Sequence, residues 1–487
     1  MRLKQLRLRD FRLFHKLDLD FRPLTVLTGP NSSGKSVVLS ALAALMQTNH
    51  AGRFPLGFAP AGPICSLGQF RDILKRGSHS KRFYVGITAA GEKSDVKLRY
   101  DAVFRHSPVG EHILPHSIQA EGPLGTKLSI EWLGDTEGYR LTTEGPDLSA
   151  ALDVPEPAAQ LLSGLIEFAV RQKERPAATE GESRATVVTL TLREKEKPAA
   201  TGVEGPTVHG QKDVAQLREP RQALIPEGSV WQIEKEILGD PIGAMVYSLI
   251  KAQGAELASC EYVGPLRAQP ARFYLREVPS APQDPMGKDA AVVLLDWKSR
   301  DKDKYRLVQE ALRQLELAEV AYPRESAEEL LSLRVRPFEH KERVGLADVG
   351  FGVSQVLPVL VADVRLPDGG TLLVNQPEVH LHPSSQALLG DYFVNRLGPR
   401  SYVIETHSEY LLTRLRLLVA KGRLDPAKVA VYFFDGGRNP EGVPAVHQIE
   451  FGKDGAYIGA PNEFFKTYYQ DAFDIAMHGF ESRDGHD

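Results

Sequence analysis

A glycine-rich stretch near the start of the chain carries residues that can bind phosphate. Residues 29–36 read GPNSSGKS and match the pattern G-x-x-x-x-G-K-[ST] in full. In such a loop the backbone N–H groups face phosphate oxygens, the lysine adds positive charge near the β- and γ-phosphates, and the final hydroxyl is a ligand for Mg²⁺. Ser36 is therefore a predicted metal ligand. The residues predicted to contact the nucleotide are Gly29, Asn31, Ser33, Gly34, Lys35, Ser36 and Val37.

The elements around this loop are those that the pattern requires. An apolar strand is predicted at residues 24–28 and an alanine-rich helix at residues 36–46, so the loop joins a strand to a helix. The alternative is a chance Gly/Ser turn before a helix, which this context disfavours. The strand, the loop and the helix together predict a bound nucleoside triphosphate.

Three later segments have the order and spacing of a second set of functional loops. Residues 348–355 read DVGFGVSQ, residues 371–378 read TLLVNQPE, and residues 406–408 read THS at the end of a predicted strand. With HLHP at residues 380–383, these motifs resemble those of the ABC-type ATPase heads of the SMC, RecF and OLD lineage, and more closely those of bacterial AAA-family ATPases. The resemblance covers roughly residues 1–105 and 330–487. It implies an α/β fold, an ABC-type P-loop ATPase head split by a large mixed β/α insertion, with ATP and Mg²⁺ as cofactors.

The resemblance assigns roles to two of the loops. The glycine-rich turn before residue 355 would be a signature loop, which in such heads reaches the γ-phosphate bound on the other subunit, and a helix start is a plausible second anion site. The alternative is an ordinary glycine-rich helix start. Gln69 is similar to the Q-loop residue that senses metal and γ-phosphate, although a Gln beside a Phe is more often a surface pair. The signature residues are Gly350, Gly352, Ser354 and Gln355.

Two histidine motifs have competing interpretations. His407 resembles the switch histidine, which would hydrogen-bond the γ-phosphate or orient the attacking water, whereas a lone histidine after a strand is otherwise often structural. His380 and His382 form an H-x-H pair that could ligate zinc, but no carboxylate or cysteine set lies nearby in sequence to complete a tetrahedron. The resemblance instead implies that this pair belongs to the D-loop, where two subunits touch.

The end of the strand at residues 371–375 departs from the family pattern. Walker B strands end in an acidic residue that holds Mg²⁺ through water, often followed by a second carboxylate, whereas Asn375 and Gln376 stand here. Neither side chain can be an anion or a base, and Glu378 is then the nearest carboxylate. Either hydrolysis is slow and ATP binding is the signal, or residue 375 was altered to trap a bound state. By resemblance, the catalytic residues are Glu378, His407 and Gln376, and the metal ligands are Ser36, Gln69 and Asn375.

Two further segments resemble parts of the same ATPases. Residues 262–272, YVGPLRAQPAR, are predicted to form a rigid proline-flanked turn with solvated arginines. The alternative is that Arg267 and Arg272 face phosphate or a partner. Residues 460–465, APNEFF, are predicted to pack aromatic side chains on the head.

The pattern along the chain predicts three regions. Alternating apolar residues predict strands between about 80 and 150, and residues 289–318 have the spacing of a helical hairpin rather than of a long coiled coil. Residues 172–228 are predicted to be long flexible loops with one strand at 185–192. Strands and helices alternate again from residue 333. The regions are 1–105, the N-terminal lobe of the head, 106–330, an inserted β-rich and helical region, and 331–487, the C-terminal lobe.

Composition excludes several classes of protein. The 487 residues are 42% hydrophobic and 25% charged with a net charge of −4, which is typical of a soluble globular protein and not of a disordered or histone-like one. Two distant cysteines cannot build a disulfide framework or a thiolate zinc site. No signal peptide or bilayer span is visible, so a cytoplasmic location without a membrane partner is expected. The tail after His407 has no DxD pair, so an OLD-type nuclease with a Toprim domain is not predicted.

The glycine-rich loop predicts ATP binding, and the resemblance implies a slowly hydrolysing ATPase that works as an ATP-gated homodimer or higher oligomer. The resemblance implies a role in bacterial antiphage defence or DNA maintenance, with a nuclease or toxin effector on a separate protein. The alternative is a non-hydrolysing ATP sensor or scaffold that assembles its partner. DNA is a further candidate partner, because residues 1–22 hold seven Lys/Arg against three Asp, although a charge run is usually a solvated face. A second basic cluster on a predicted helix consists of Arg414, Arg416, Lys421 and Arg423.

Overall fold

The computed structural model describes residues 2–90, 97–107, 113–122, 125–134, 138–144, 221–225, 237, 241–275, 284–327, 329–338, 341–437, 444–461, 464 and 475. Within these ranges the α-helices are α1 (Lys35–His50), α2 (Phe70–Ile73), α3 (Pro241–Ala258), α4 (Ala290–Arg300), α5 (Lys302–Gln314), α6 (Phe351–Arg365), α7 (Pro383–Asn395) and α8 (Glu409–Ala420). The strands are β1 (Arg2–Phe11), β2 (Phe14–Asp20), β3 (Leu24–Thr28), β4 (Arg82–Ala90), β5 (Lys97–His106), β6 (Ile113–Glu121), β7 (Lys127–Gly134), β8 (Gly138–Glu144), β9 (Arg221–Ile225), β10 (Cys260–Val263), β11 (Tyr274–Leu275), β12 (Val320–Ala327), β13 (Leu330–Arg336), β14 (Val344–Gly345), β15 (Thr371–Asn375), β16 (Ser401–Glu405), β17 (Val429–Phe434), β18 (Val446–Phe451) and β19 (Tyr457–Ile458).

An antiparallel sheet in the order β2-β1-β4-β5-β6-β7-β8-β9 forms one layer. Its strands form because apolar and polar residues alternate, which turns one face toward a core and the other toward solvent. In β2, for example, Leu17 and Leu19 are buried while Asp18 and Asp20 are exposed. The buried face shares one hydrophobic core with α1. The sheet therefore packs against the helix that follows the glycine-rich loop.

A second sheet holds the functional loops. Its order is β10-β15-β16-β3-β17-β18-β19, and the strands from β10 to β17 are parallel. Successive residues point to opposite faces of a strand, so Leu27 joins the core that contains α1 while Val26 joins a second core with α4, α6, α7 and α8. Both faces are thus covered, as parallel sheets require.

Several sequence predictions are confirmed. The strand at residues 24–28, the helix that follows the glycine-rich loop, the helical hairpin of α4 and α5, and the alternation of strands and helices after residue 333 are all present. The mixed α/β class is confirmed as well. The predicted region boundaries at 105/106 and 330/331 fall inside β5 and β13, and β5 pairs with β6, so hydrogen bonding continues across the first boundary.

Some predictions fall on parts of the chain that are not described. The strand expected at 185–192 lies outside the described residues, as do the loops expected at 172–228 except for β9, which pairs with β8. In the segment 460–465, Phe464 is described. Its ring lies 5.3 Å from that of Phe433 and 4.9 Å from that of Tyr457, so the predicted aromatic packing is confirmed at this residue.

Smaller features complete the architecture. A third sheet joins β11, β13 and β12, and β14 pairs with β13. Cys65 is half-buried and Cys260 is buried. Among the described residues, no helix combines the length and the apolarity that a bilayer crossing needs.

Glu261 on β10 makes stability depend on pH. Its side chain is 14% exposed, and burial raises the pKa of the carboxyl to about 7, with Asp289 adding to the shift. Arg365 opposes the shift from 3.9 Å, but it is bonded to Asp289 at 2.9 Å. Because the folded pKa exceeds the unfolded one, folding is favoured at low pH, and this contribution is lost as pH rises through about 7.

Glu261→Gln is therefore expected to stabilise the protein at pH 8 by up to about 3 kcal/mol and to have little effect at pH 5. Denaturant unfolding at the two pH values measures the difference. Glu310→Gln is the control, since Glu310 is an exposed partner of Arg306 on α5. Equal effects of Glu261→Gln at both pH values would contradict the prediction.

Candidate functional site

The carboxyl ends of three adjacent parallel strands converge on one cleft. Strand β16 lies between β15 and β3, and loops that leave parallel strands at their carboxyl ends meet at the same sheet edge. The cleft has a volume of about 580 Å³. Its lining includes seven of the predicted residues, namely Asn31, Gly34, Lys35, Ser36, Val37, Gln376 and His407. It also includes residues that were not predicted, among them Glu405.

The glycine-rich loop is held in a conformation that needs its glycines. Gly29 has φ +136° and Gly34 has φ +102°, values that L side chains rarely adopt. A Cβ on Gly29 would lie 2.2 Å from the carbonyl oxygen of Phe434, and one on Gly34 would lie 2.5 Å from the ring of Phe14. The Ser33 hydroxyl is buried and has no hydrogen-bond partner among the described residues. The loop is thus packed against β17 and β2 while its polar groups remain available to an anion.

Lys35 is the first residue of α1 and is buried. Its ammonium donates hydrogen bonds to the carbonyl oxygens of Gly29 at 3.0 Å and Pro30 at 2.6 Å. Burial lowers the pKa of this amine, and the negative charge of Glu405 opposes that shift. An incoming phosphate would restore the favourable charge environment that burial removes.

Glu405 is a site residue that the sequence reading missed. It ends β16, is 3% exposed and accepts a hydrogen bond from the Ser36 hydroxyl at 2.8 Å and from the Asn375 side-chain amide. Burial raises the pKa of the Glu405 carboxyl, while Ser36, Lys35 and Asn375 lower it. The available signal was an acid at the end of an otherwise apolar strand, the same signal that marks a Walker B strand.

Glu378 and His407 are linked through the backbone. The Glu378 carboxylate accepts from the His407 N–H at 2.8 Å, and its second oxygen, Oε2, has no partner among the described residues. Burial raises the pKa of Glu378, and this residue does not line the cleft. The His407 imidazole does, and burial and the charge of Lys35 lower its pKa. The structure therefore brings His407 and Gln376 to the cleft, whereas Glu378 supports the loop behind them.

The predicted signature loop lies apart from the cleft of its own chain. Helix α6 begins at Phe351 directly after Gly350, the Ser354 hydroxyl bonds the Phe351 carbonyl oxygen at 2.7 Å, and Gln355 is buried. None of these residues lines the cleft. A Cβ on Gly352 would lie 2.9 Å from the carbonyl oxygen of His380. The signature loop and the HLHP segment thus pack on each other.

Two other predicted contacts are outside the cleft. Gln69 is exposed at the start of α2 and does not line the cleft, whereas Asp72 in the same helix does. The His380 ring lies tilted against that of Phe351, with centroids 5.7 Å apart, and the His382 side chain caps α7 by accepting the Ser384 N–H. Among the described residues, no group of three or more His, Cys, Asp or Glu is arranged to hold a metal.

The arginines of residues 262–272 differ from each other. The prediction of solvated side chains is wrong for Arg267, which is buried and donates to the carbonyl oxygens of Asn375 at 2.5 Å and Gln376 at 3.1 Å. Burial lowers the pKa of Arg267 to about 10, and Glu378 opposes this. Arg272 is 70% exposed and pairs with Asp348 at 2.8 Å. This segment therefore contacts both the end of β15 and the start of the signature loop.

Several arginines of the basic clusters that suggested DNA binding contact acceptors within the protein. Each of the following arginines has a local acceptor that would compete with a phosphate. The pairs are Arg7 with Asp101, Arg9 with Asp18, Arg22 with Glu450, Arg414 and Arg423 with Asp391, and Arg416 with the Gly455 carbonyl oxygen.

Comparisons with known families agree with the motifs. Residues 1–96 match the family described as "AAA ATPase domain". Residues 241–413 match the family described as "AAA domain, putative AbiEii toxin, Type IV TA system". The first match contains the glycine-rich loop, and the second contains β15, β16 and the histidine motifs. No curated protein matches the chain significantly.

Solved structures similar to this chain include three SMC heads. An SMC head bound to the C-terminal winged-helix domain of ScpA is 11% identical, with a TM-score of 0.41 over 93% of this chain and 99% of the other. An SMC head from Pyrococcus furiosus with an extended coiled coil, bound to the C-terminal domain of ScpA, is 11% identical, with a TM-score of 0.40 over 98% and 99%. The SMC head from Thermotoga maritima is 10% identical, with a TM-score of 0.36 over 92% and 98%.

Proposed function

We propose that this chain binds ATP with Mg²⁺ at residues 29–36, hydrolyses it slowly, and uses the bound nucleotide to close a homodimer. The observation that carries the proposal is the convergence on one cleft of the glycine-rich loop with Gln376, Glu405 and His407. These residues come from three adjacent parallel strands, at the sheet edge where α/β proteins bind ligands. The matches to AAA-type ATPase domains support the same nucleotide class.

Four residues of the cleft have a chemical task in this function. The N-terminus of the 16-residue helix α1 favours phosphate, and Lys35 would exchange its two carbonyl partners for phosphate oxygens. The Ser36 hydroxyl fits Mg²⁺, which when bound neutralises phosphate charge as a Lewis acid. His407 has a lowered pKa, so its neutral ring can accept a proton from water near pH 7. Gln376 can donate or accept a hydrogen bond there.

The position of the signature loop supports the proposed dimer. The loop is outside the cleft of its own chain, yet it starts α6, a 15-residue helix whose positive end favours an anion. Gly350 has open space around it and Phe351 is exposed. A second copy that offers its nucleotide to this loop would complete both sites.

Lys35→Ala tests nucleotide binding. Removal of a charged donor is expected to weaken binding of a fluorescent ATP analogue by roughly 10–100-fold. Equilibrium titration measures the affinity, and circular dichroism establishes that the variant is folded. Unchanged affinity in folded Lys35→Ala protein would exclude the glycine-rich loop as the nucleotide site.

Gly350→Glu tests the dimer separately. No atom lies within 4 Å of a Cβ at Gly350, whose φ is −55°, so the variant is expected to fold and to bind nucleotide as the wild type does. Its carboxylate would repel the triphosphate of a second copy. Sedimentation with a non-hydrolysable ATP analogue should show a dimer for the wild type and a monomer for the variant. A wild type that stays monomeric at saturation would disprove the dimer.

The proposed biological setting is bacterial antiphage defence or DNA maintenance, with a nuclease or toxin on a separate protein. It is supported by the motif resemblance and by the second family, whose description names a toxin of a toxin–antitoxin system. A second candidate, an ATP sensor that does not hydrolyse, is favoured by the neutral Asn375 and Gln376 at the end of β15. Steady-state phosphate release distinguishes the two candidates. ATP-dependent dimers without phosphate release would favour the sensor.

A further inference from the structure

We propose that Glu405 supplies the negative charge for the metal at this nucleotide site, in place of the acid that the end of β15 lacks. This assignment rests on the proposed binding of ATP with Mg²⁺. It moves the acidic ligand by one strand, from β15 to β16. It also gives a role to Asn375, which the motif comparison left as an anomaly.

The backbone fixes Glu405 beside the glycine-rich loop. Strand β16 lies between β15 and β3, and Glu405 is in register with Asn375 on one side and Leu27 on the other. The Glu405 carbonyl oxygen accepts the Gln376 N–H at 2.7 Å, and the next residue, Thr406, donates its N–H to Leu27 at 3.0 Å. The acid is therefore held at the end of the strand that adjoins β3, closer in strand order to the loop than residue 375 is.

The side chain of Glu405 reaches the predicted metal ligand directly. One carboxylate oxygen accepts from the Ser36 hydroxyl at 2.8 Å, and the other accepts from the Asn375 amide. Glu405 also lines the cleft together with Ser36. An oxygen anion and a hydroxyl at this separation form the kind of ligand pair that Mg²⁺ prefers. The Ser36 hydroxyl is thus partnered by an acid even though residue 375 is neutral.

Asn375 is the neutral residue that this arrangement requires. Its NH₂ group donates to Glu405, so an aspartate at 375 would place two carboxylates at hydrogen-bond distance, where both cannot be ionised. Asn375 is 1% exposed, and its Oδ1 has no partner among the described residues. That oxygen is available to a metal-bound water. Asn375 and Glu405 therefore reverse the expected arrangement, because the neutral amide ends β15 and the charged carboxylate ends β16.

The carboxylate of Glu378, the acid that follows β15, makes a different contact. Glu378 does not line the cleft, and its Oε1 holds the His407 backbone N–H. Its charge also faces Arg267. Glu378 is therefore a positioning residue for the His407 loop in this arrangement, and Glu405 is the acid that faces Ser36.

Glu405→Gln tests the assignment through metal binding rather than turnover. Affinity for a fluorescent ATP analogue is measured in EDTA and in Mg²⁺, and bound Mn²⁺ is counted by electron paramagnetic resonance in the presence of the analogue. In EDTA the variant is expected to bind the analogue at least as tightly as the wild type, because a negative charge beside the phosphates is removed. It is expected to lose the increase in affinity caused by Mg²⁺ and to bind Mn²⁺ at least about tenfold more weakly. Glu310→Gln makes the same substitution at an exposed acid on α5, outside the cleft, and should leave metal binding unchanged.

A double variant provides a second test in case Glu405→Gln fails to fold. Asn375→Asp with Glu405→Asn keeps one amide and one carboxylate in the pair and returns the acid to β15, so it should recover metal dependence that Glu405→Gln lacks. Wild-type Mn²⁺ affinity in Glu405→Gln, or a metal effect in the wild type that neither change alters, would overturn the assignment. Absence of analogue binding in the wild type would instead overturn the proposed function on which the assignment rests.

Discussion

Replacement of Gly29 by alanine is expected to weaken nucleotide binding by at least about 100-fold, because strain of roughly 1–3 kcal/mol at its backbone adds to a steric clash. Gly29 has φ +136°, and a Cβ there would lie 2.2 Å from the carbonyl oxygen of Phe434. That carbonyl belongs to the last residue of β17 and cannot move aside as a flexible side chain would. The loop must therefore shift, and its N–H groups lose their arrangement around the phosphates.

A matched glycine separates the clash from the general cost of an alanine. Gly52 also has positive φ, at +67°, but no atom lies within 4 Å of a Cβ there. Gly52→Ala should lower stability by about 1 kcal/mol and leave nucleotide affinity unchanged. Titration with a fluorescent ATP analogue and thermal unfolding measure the two effects. If Gly29→Ala bound the analogue as tightly as Gly52→Ala does, the close approach of the loop to β17 would be irrelevant to binding.

The second large effect is expected from Asp363 on α6, whose replacement by alanine should lower the free energy of unfolding by about 3–5 kcal/mol. Asp363 is fully buried. Its carboxylate accepts the hydroxyls of Tyr392 at 2.5 Å and Tyr402 at 2.9 Å, and it pairs with Arg396 and Arg400. Removal of the carboxylate leaves two arginines and two hydroxyls without their acceptor, and burial makes each loss costly.

This network is also relevant to function, because it connects the three elements next to the signature loop, the HLHP segment and Glu405. Asp363 lies on the helix that the signature loop starts, Tyr392 lies on α7 after the HLHP segment, and Tyr402 lies on β16, which ends in Glu405. Denaturant unfolding measures the loss. Asp296→Ala is the control, since Asp296 pairs with Arg300 at the surface of α4 and should contribute less than about 0.5 kcal/mol. Similar losses for the two variants would contradict the role given to the buried network.

Local patterns were sufficient to predict much of the fold. The glycine-rich loop is recognisable in the sequence because its backbone conformation requires glycine at residues 29 and 34, and these two residues lie close together in the chain. The helical hairpin of α4 and α5 and the strands after residue 333 were predicted because their apolar spacing is also local. The residues that line the cleft at the end of β3 were found in the same way, whereas Gln376 after β15 and His407 after β16 were assigned by the motif resemblance.

Contacts between distant segments were decided by the tertiary structure. Ser36 and Glu405 are 369 residues apart in sequence and 2.8 Å apart in space, because strand order places β16 beside β3. Arg267 appeared to be a surface residue of a turn, but the pairing of β10 with β15 buries it against the Asn375 carbonyl. The sequence by itself determined which segments can form tight turns, begin helices and bind phosphate. Only the order of strands in the sheet determined which of them meet, because hydrogen bonding between strands does not depend on their separation along the chain.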